Sequence, residues 1–205
     1  TLAAKGAARA MAAAPTEVNN RALVAIARGL SETVEPILEA NAADLADERA
    51  QSLSSALIDR LTLTPERIEA MAAGVQEVAA LDDPVGEILE TSTLANGLKM
   101  NKVRVPLGVI AVVYEARPNV TIDCAALTIK SGNSILLKGS SYAERTNTAL
   151  ADVVRAGLAE AGLPEDAVVM SVGGGRDSIA DLATQDGVVD LLIPRGGEGL
   201  KKALE

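Results

Sequence analysis

Four polar loops in the second half of the chain carry the residues best suited to chemistry. They are Glu115-Ala116-Arg117-Pro118-Asn119, Lys138-Gly139-Ser140-Ser141, Gly173-Gly174-Gly175-Arg176 and Pro194-Arg195-Gly196-Gly197. In dinucleotide-binding folds, an acidic residue at the end of the second strand binds the ribose hydroxyls and repels a 2′-phosphate. Here Lys138, Gly139 and Ser140 make that position basic and polar, which favours NADPH over NADH. Gly173 opens a glycine run whose backbone N–H groups could approach a ligand closely. The same run would serve equally as a tight turn. Arg195 contributes a permanent positive charge, and Gly196 and Gly197 precede a helix predicted from Gly199. A helix N-terminus with free N–H groups suits a pyrophosphate. Arg117 has the fork geometry for bidentate pairing with a carboxylate or phosphate of a substrate, or for an ion pair within the protein. Asn119, beside Pro118, reads as a helix cap. No GxGxxG follows the first strand, so the usual dinucleotide fingerprint is absent.

Cys124 is the only cysteine, and the chain has no His. A reactive thiolate needs a partly exposed, electropositive site or a neighbouring base. Cys124 instead follows Asp123 and lies on an apolar helical stripe, so it is expected to be a small core residue. Without His, the commonest metal ligand is missing as well, and no metal site is expected.

The elements that must position these loops alternate in type. Val109 to Tyr114, Ser134 to Leu137, Val168 to Val172 and Val188 to Ile193 read as buried strands. Helices are predicted over Val120 to Lys130, Ala143 to Ala161 and Asp177 to Ala183. Alternation of this kind gives a parallel sheet with ligands bound beyond the carboxyl ends of its strands. Upstream, Thr1 to Asp83 is helical. Leu23, Ile26, Leu30, Val34, Ile37 and Leu38 recur at helical spacing over Asn20 to Ala40, with Thr16 as the expected cap. A second helix starts at Pro65 behind Thr64, with Ile68, Met71, Val75 and Val78 as its buried stripe. Between these zones, Ile88 to Leu94 and Leu98 to Val105 flank Asn96-Gly97, the pair that a type I′ hairpin turn prefers. A hairpin alone is marginal in water, so it must pack on its own chain, on another domain or on another subunit. The fold class is therefore α/β. Its parts are N-terminal helices over 1–84, a β-hairpin over 85–106 and a Rossmann-like nucleotide-binding sheet over 107–205.

Composition narrows the partners. The net charge of −9 disfavours nucleic acid, which requires clustered Lys and Arg. An acidic substrate would depend on local basic residues rather than on the overall field. The single Cys excludes an internal disulfide framework and fits a reducing, cytoplasmic compartment. No apolar run approaches the ~20 residues needed to span a bilayer. The Ala-rich start, Leu2 to Ala14, carries Lys5 and Arg9 and reads as a helix rather than a signal segment.

The same loops carry a family resemblance. Val105-Pro106-Leu107-Gly108-Val109-Ile110, Tyr114-Glu115-Ala116-Arg117-Pro118-Asn119-Val120-Thr121, Lys130-Ser131-Gly132-Asn133 and Val189-Asp190-Leu191-Leu192-Ile193-Pro194-Arg195-Gly196-Gly197 resemble the glutamyl-phosphate reductases of the aldehyde dehydrogenase superfamily. Ala40-Asn41, Asp59-Arg60-Leu61-Thr62-Leu63 and Arg67-Ile68 fit the same family. The resemblance implies NADPH-dependent reduction of L-glutamyl 5-phosphate to L-glutamate 5-semialdehyde, in proline biosynthesis, with NADPH as cofactor. It implies that Asn119 donates to the developing oxyanion, that Lys138 contacts the adenosine ribose and that the Arg195-Gly196-Gly197 loop contacts the cofactor phosphates. It also implies that the hairpin is an oligomerisation element, making a homo-oligomer the expected state. The family's catalytic Cys lies downstream of the Pro-Arg-Gly-Gly segment, so this chain alone is expected to be inactive. Another acylating aldehyde dehydrogenase, or a non-catalytic nucleotide-binding or assembly module, stays open on the sequence.

Overall fold

The computed structural model describes residues 1–173, 177–197 and 200. The expected loop residues Gly174, Gly175 and Arg176, and the helix expected from Gly199, lie outside the described residues.

Five helices come first: α1 (Leu2–Ala13), α2 (Thr16–Glu32), α3 (Val34–Leu45), α4 (Ser55–Leu61) and α5 (Pro65–Ala80). The helix expected over Asn20 to Ala40 is two helices that break at Thr33. Pro36 explains the break, since it has no N–H to give to Glu32 and its ring would collide with that carbonyl. Thr33 Oγ1 donates instead to the Gly29 carbonyl at 2.7 Å. Thr16 is not a cap. It is the first helical residue behind Pro15, and its hydroxyl donates to Asp83. Thr64 does cap α5, accepting from Arg67 N at 3.3 Å, with Pro65 at the first position.

The hairpin is formed by β1 (Ile88–Thr93) and β2 (Lys99–Val103), and every residue in both strands is exposed. Its turn is not type I′. Gly97 has φ +86, but among the described residues no non-glycine residue has positive φ, so Asn96 cannot supply the second left-handed position. Gly97 N donates to Leu94 O and Leu94 N to Leu98 O, each at 2.9 Å. This is a three-residue loop in which Gly97 provides the single αL residue.

The sheet contains β3 (Val109–Tyr114), β4 (Ser134–Lys138), β5 (Val168–Met170) and β6 (Leu191–Arg195). They are ordered β5-β4-β3-β6, all parallel. α6 (Asn119–Lys130) follows β3, α7 (Glu144–Glu160) follows β4 and α8 (Asp177–Ala183) follows β5. Both faces are covered, so β3 and β4 read as unbroken apolar runs while their side chains still alternate. Ile110, Val112, Tyr114, Ile135 and Leu137 face the large core with α2, α5, α6 and α7. Val109, Ala111, Val113 and Leu136 face Ala4 and Ala8 of α1 and Leu182 of α8. The Ala-rich start is thus a helix whose small side chains let it lie close on the sheet. Among the described residues, no helix is long and apolar enough to cross a membrane.

β6 starts later than expected. Val188 and Val189 extend the apolar run, but Asp190 turns its carboxylate back to accept from Val109 N at 2.8 Å. Lys5 Nζ reaches the same carboxylate at 2.9 Å. Lys5, followed by the Val109 N–H, holds the Asp190 carboxyl below the usual carboxylate range. Its contribution is therefore present above the ordinary carboxylate pKa and is lost as pH falls through the depressed value. Asp190→Asn is expected to lower stability by about 1 kcal/mol at neutral pH, a partly exposed pair plus one charged hydrogen bond. In urea titrations, the gap between wild type and variant should close in acid. A gap that persists there would assign the loss to packing instead.

Candidate cofactor and substrate site

The carboxyl ends of β3, β4 and β5 open into one cavity of about 500 Å³. That volume lies within the range of small-molecule sites. Lys138, Gly139, Ser140 and Gly173, all singled out in the sequence, line it together. Lys138 is only 6% exposed, and its ammonium donates to the Gly173 carbonyl. This ties the end of β4 to the loop after β5. Burial lowers the Lys138 pKa, and the charge of Glu144 opposes that shift. Ser140 Oγ accepts from Tyr142 N at 3.3 Å and so starts the 3₁₀ turn leading into α7. Gly139 is required by a close approach. A Cβ there would lie 2.2 Å from Asn147 Nδ2 and 3.1 Å from the Tyr114 ring.

Beneath the cavity runs a buried polar chain. The Tyr114 hydroxyl meets Thr121 Oγ1 at 2.7 Å, and Thr121 Oγ1 donates to Asn147 Oδ1 at 3.0 Å. Burial raises the Tyr114 hydroxyl well above its ordinary pKa, so it stays a neutral donor.

Sequence reasoning missed several wall residues: Leu53, Leu57, Tyr142 and Glu144. Leu53 is extended before α4 and Leu57 lies within it, so no single helical spacing pointed to the pair. Glu144, in the first turn of α7, looks from sequence like an ordinary helix-dipole carboxylate. What holds this wall is Asn41. Its Oδ1 accepts from Leu63 N at 2.8 Å, and its Nδ2 donates to Leu61 O at 2.9 Å. The buried Asp44 carboxylate, one turn on, accepts from Thr146 N at 2.8 Å and Thr146 Oγ1 at 2.7 Å. These bonds join α3 to α7 and to the α4–α5 connection.

Arg117 and Asn119 line a second cavity, of about 410 Å³, shared with Asp59, Arg60, Leu63, Arg67, Ala70, Met71 and Asp123. Asn119 does not cap α6. It is the first helical residue, behind Pro118, and its Nδ2 donates to Asp123 Oδ2 at 3.0 Å. Burial raises the Asp123 pKa, against the lowering effects of Arg195 and of the Asn119 bond.

Arg195, Gly196 and Gly197 line neither cavity. Arg195 is the last residue of β6 and the two glycines follow it, where Gly197 N donates to Glu115 Oε1 at 2.8 Å. That bond joins the loops after β3 and β6. Arg195 acts instead on α6, on Asp123 and Cys124. Cys124 is half-buried against the core. Burial pushes its thiol up, and the neighbouring Arg195 counters this. The thiol is therefore held as a packing group rather than as an activated thiolate.

Comparison with known proteins places this geometry. The aldehyde dehydrogenase family profile matches residues 2–197. The chain is 51% identical over 197 residues to a gamma-glutamyl phosphate reductase of Thermobifida fusca, covering 96% of this chain and 47% of that protein. Among solved structures, it is similar to a gamma-glutamyl phosphate reductase from Thermotoga maritima, with TM-score 0.95 and 36% identity over 99% of this chain and 49% of that one. A gamma-glutamyl phosphate reductase from Saccharomyces cerevisiae gives TM-score 0.89 and 32% identity over 99% of this chain and 52% of that one. The chain thus spans about half the length of the curated relatives it matches.

Proposed function

Because the chain belongs to the aldehyde dehydrogenase family, we propose that it forms the cofactor-binding portion of a gamma-glutamyl phosphate reductase. The reaction is reduction of L-glutamyl 5-phosphate to L-glutamate 5-semialdehyde by NADPH, with release of phosphate. The observation that carries this reading is the convergence of Lys138, Gly139, Ser140 and Gly173 on one cavity at the strand ends.

The residues present fit a nicotinamide dinucleotide. Leu53, Leu57, Met170 and Val172 give the cavity apolar walls for a flat ring, and Lys138 sets a cation among them. Bound there, the cofactor supplies a hydride for the acyl carbon. The chain's own residues bind and orient. Lys138 attracts the ribose and its 2′-phosphate. Asn119, with two amide hydrogens and one given to Asp123, keeps the other to donate to the carbonyl oxygen as it gains charge. One such donor contributes ~3 kcal/mol to a transition state. The exposed hairpin, with Ile88, Leu89, Met100 and Val103 on its surface, is read as an element covered by another copy in a homo-oligomer.

Titration of the chain with NADPH, followed by its fluorescence, is expected to saturate, and addition of acyl phosphate is expected to produce no turnover. The second expectation follows from Cys124, which is half-buried and has no His to serve as its base. Absence of saturation would remove the cofactor reading. Turnover abolished by Cys124→Ser would overturn the assignment of that thiol.

A further inference from the structure

The buried polar chain beneath the first cavity is not needed to fill the core. Tyr114, Thr121 and Asn147 are each 3% exposed or less. Phe, Val and Leu would fill nearly the same space without the cost of burying polar atoms. The chain runs in one direction. Thr121 Oγ1 gives its single hydrogen to Asn147 Oδ1, so the Tyr114 hydroxyl must donate to Thr121. Asn147 Nδ2 has no hydrogen-bond partner among the described residues, so one polar end stays uncompensated. The three residues come from elements that meet the two cavities. Tyr114 ends β3 and lines the first cavity. Asn147, in the first turn of α7, abuts Gly139 of the same cavity, where Nδ2 fills the space that a side chain at 139 would need. Thr121, the third residue of α6, sits between them. It lies two residues after Asn119, which lines the second cavity. α6 has no side-chain cap, and the Thr121 hydroxyl ties its first turn to β3 and α7. Asp123 orients the Asn119 amide within α6; Thr121 orients that turn of α6 against the sheet.

We infer that Thr121 is a positioning residue for Asn119, and that the Tyr114–Thr121–Asn147 chain couples the floor of the first cavity, at Gly139, to the aim of the Asn119 amide in the second. A ligand that displaces Gly139 shifts Asn147, which moves Thr121 and with it the first turn of α6. A close-packed interior passes such a displacement on rather than absorbing it, and the contiguous hydrogen bonds give it a route. The functional consequence rests on the proposed function, whereas the coupling itself requires no ligand.

Gly139→Ala supplies the displacement without a cofactor, because its Cβ would meet Asn147 Nδ2 at 2.2 Å. The readout is the pair of Asn119 side-chain amide resonances in the isotope-labelled chain, identified by their loss in Asn119→Asp. Gly139→Ala is expected to move them. In the Thr121→Val background it is expected to leave them in place, and in the Thr121→Ser background, which keeps the hydroxyl, to move them again. A packing role alone gives the reverse order, because Val keeps the shape of Thr and Ser loses a methyl, and that order overturns the inference. Thr121→Val leaves the Tyr114 hydroxyl and Asn147 Oδ1 buried and unpaired. If that variant does not fold, Tyr114→Phe/Thr121→Val/Asn147→Leu removes all three polar groups in one shape-matched core. A Gly139→Ala displacement that survives there overturns the inference as well. Asn119 resonances that stay in place in Gly139→Ala, while NADPH saturates the wild-type chain, overturn the coupling alone. Resonances that move as expected in a chain that NADPH does not saturate remove the cofactor reading and leave the coupling standing.

Discussion

Lys138→Met weakens NADPH binding by about 2 kcal/mol, or about thirtyfold, the usual loss for a hydrogen bond to a charged group. The expected loss for NADH is smaller, because NADH has no 2′-phosphate for the ammonium to meet. Methionine keeps the length of the buried stem but loses the bond to the Gly173 carbonyl, so the melt followed by circular dichroism should report a loss of about 1 kcal/mol beside the change in affinity. The sign of the pH dependence follows from the site. Burial lowers the Lys138 pKa, with Glu144 opposing, so the ammonium is lost at a lower pH than an ordinary lysine would lose it. NADPH affinity should then fall at a lower pH than the titration of a free lysine would give, and the fall should vanish in Lys138→Met. Glu144 lines the same cavity and should repel a 2′-phosphate, so Glu144→Gln is expected to tighten NADPH and leave NADH nearly unchanged. Equal losses for the two cofactors in Lys138→Met would mean that Lys138 recognises the ribose rather than the phosphate.

How far this site was legible in the sequence depends on which residues act through neighbours in the chain. β3 was readable to the residue because Val109 to Tyr114 is a continuous apolar run bounded by Gly108 and Glu115. The strand-end positions of Lys138, Gly139, Ser140 and Gly173 followed from that alternation alone. β6 was displaced in the reading because Val188 and Val189 look like strand residues, whereas pairing with β3 begins only at Ile110↔Leu191 and runs on to Tyr114↔Arg195. That register carries Pro194 into the strand, tolerated where its missing N–H faces away from a partner. The turn at Asn96-Gly97 was misread because the dipeptide fits two loop lengths, and only the cross-strand register selects between them. The separation into two cavities was not readable at all. It depends on where α4 sits, and α4 is tied to α3 by the Asn41 bond to Leu61 and to α5 by the Arg67 pair with Asp59, contacts that the spacing of apolar residues does not reveal. Asn119 shows the same limit. Its pairing with Asp123 one turn along is local, but whether its second amide hydrogen meets a ligand depends on the cavity that Arg60 and Arg117 complete.

The helix layer behind the sheet sets the second large effect, at Gly157. This residue sits inside α7, where alanine would ordinarily favour the helix by ~0.5–1 kcal/mol. A Cβ at Gly157 would lie 2.5 Å from Ile26 Cγ1, 3.0 Å from Ile26 N and 3.2 Å from Ala22 O. Two of those three atoms belong to the backbone of α2 and cannot rotate away. The helices must therefore separate, and α7 carries Asn147 and Thr146 against the cavity floor and the Asp44 anchor. Gly157→Val is expected to cost about 3 kcal/mol, at the upper end for overpacking, since its branched side chain adds two more methyls to a filled contact. Gly157→Ala should cost less but still destabilise, so here the steric term outweighs helix propensity. Gly74, inside α5, is the control: an added Cβ there meets nothing within 4 Å, and Gly74→Ala should stabilise by about 0.5–1 kcal/mol. Opposite signs for the two Gly→Ala variants in the same urea titration would show that the α2–α7 contact, not glycine in a helix as such, controls the response. If both variants stabilise, the close approach of the two helices is relaxed in solution, and NADPH affinity should then be insensitive to Gly157.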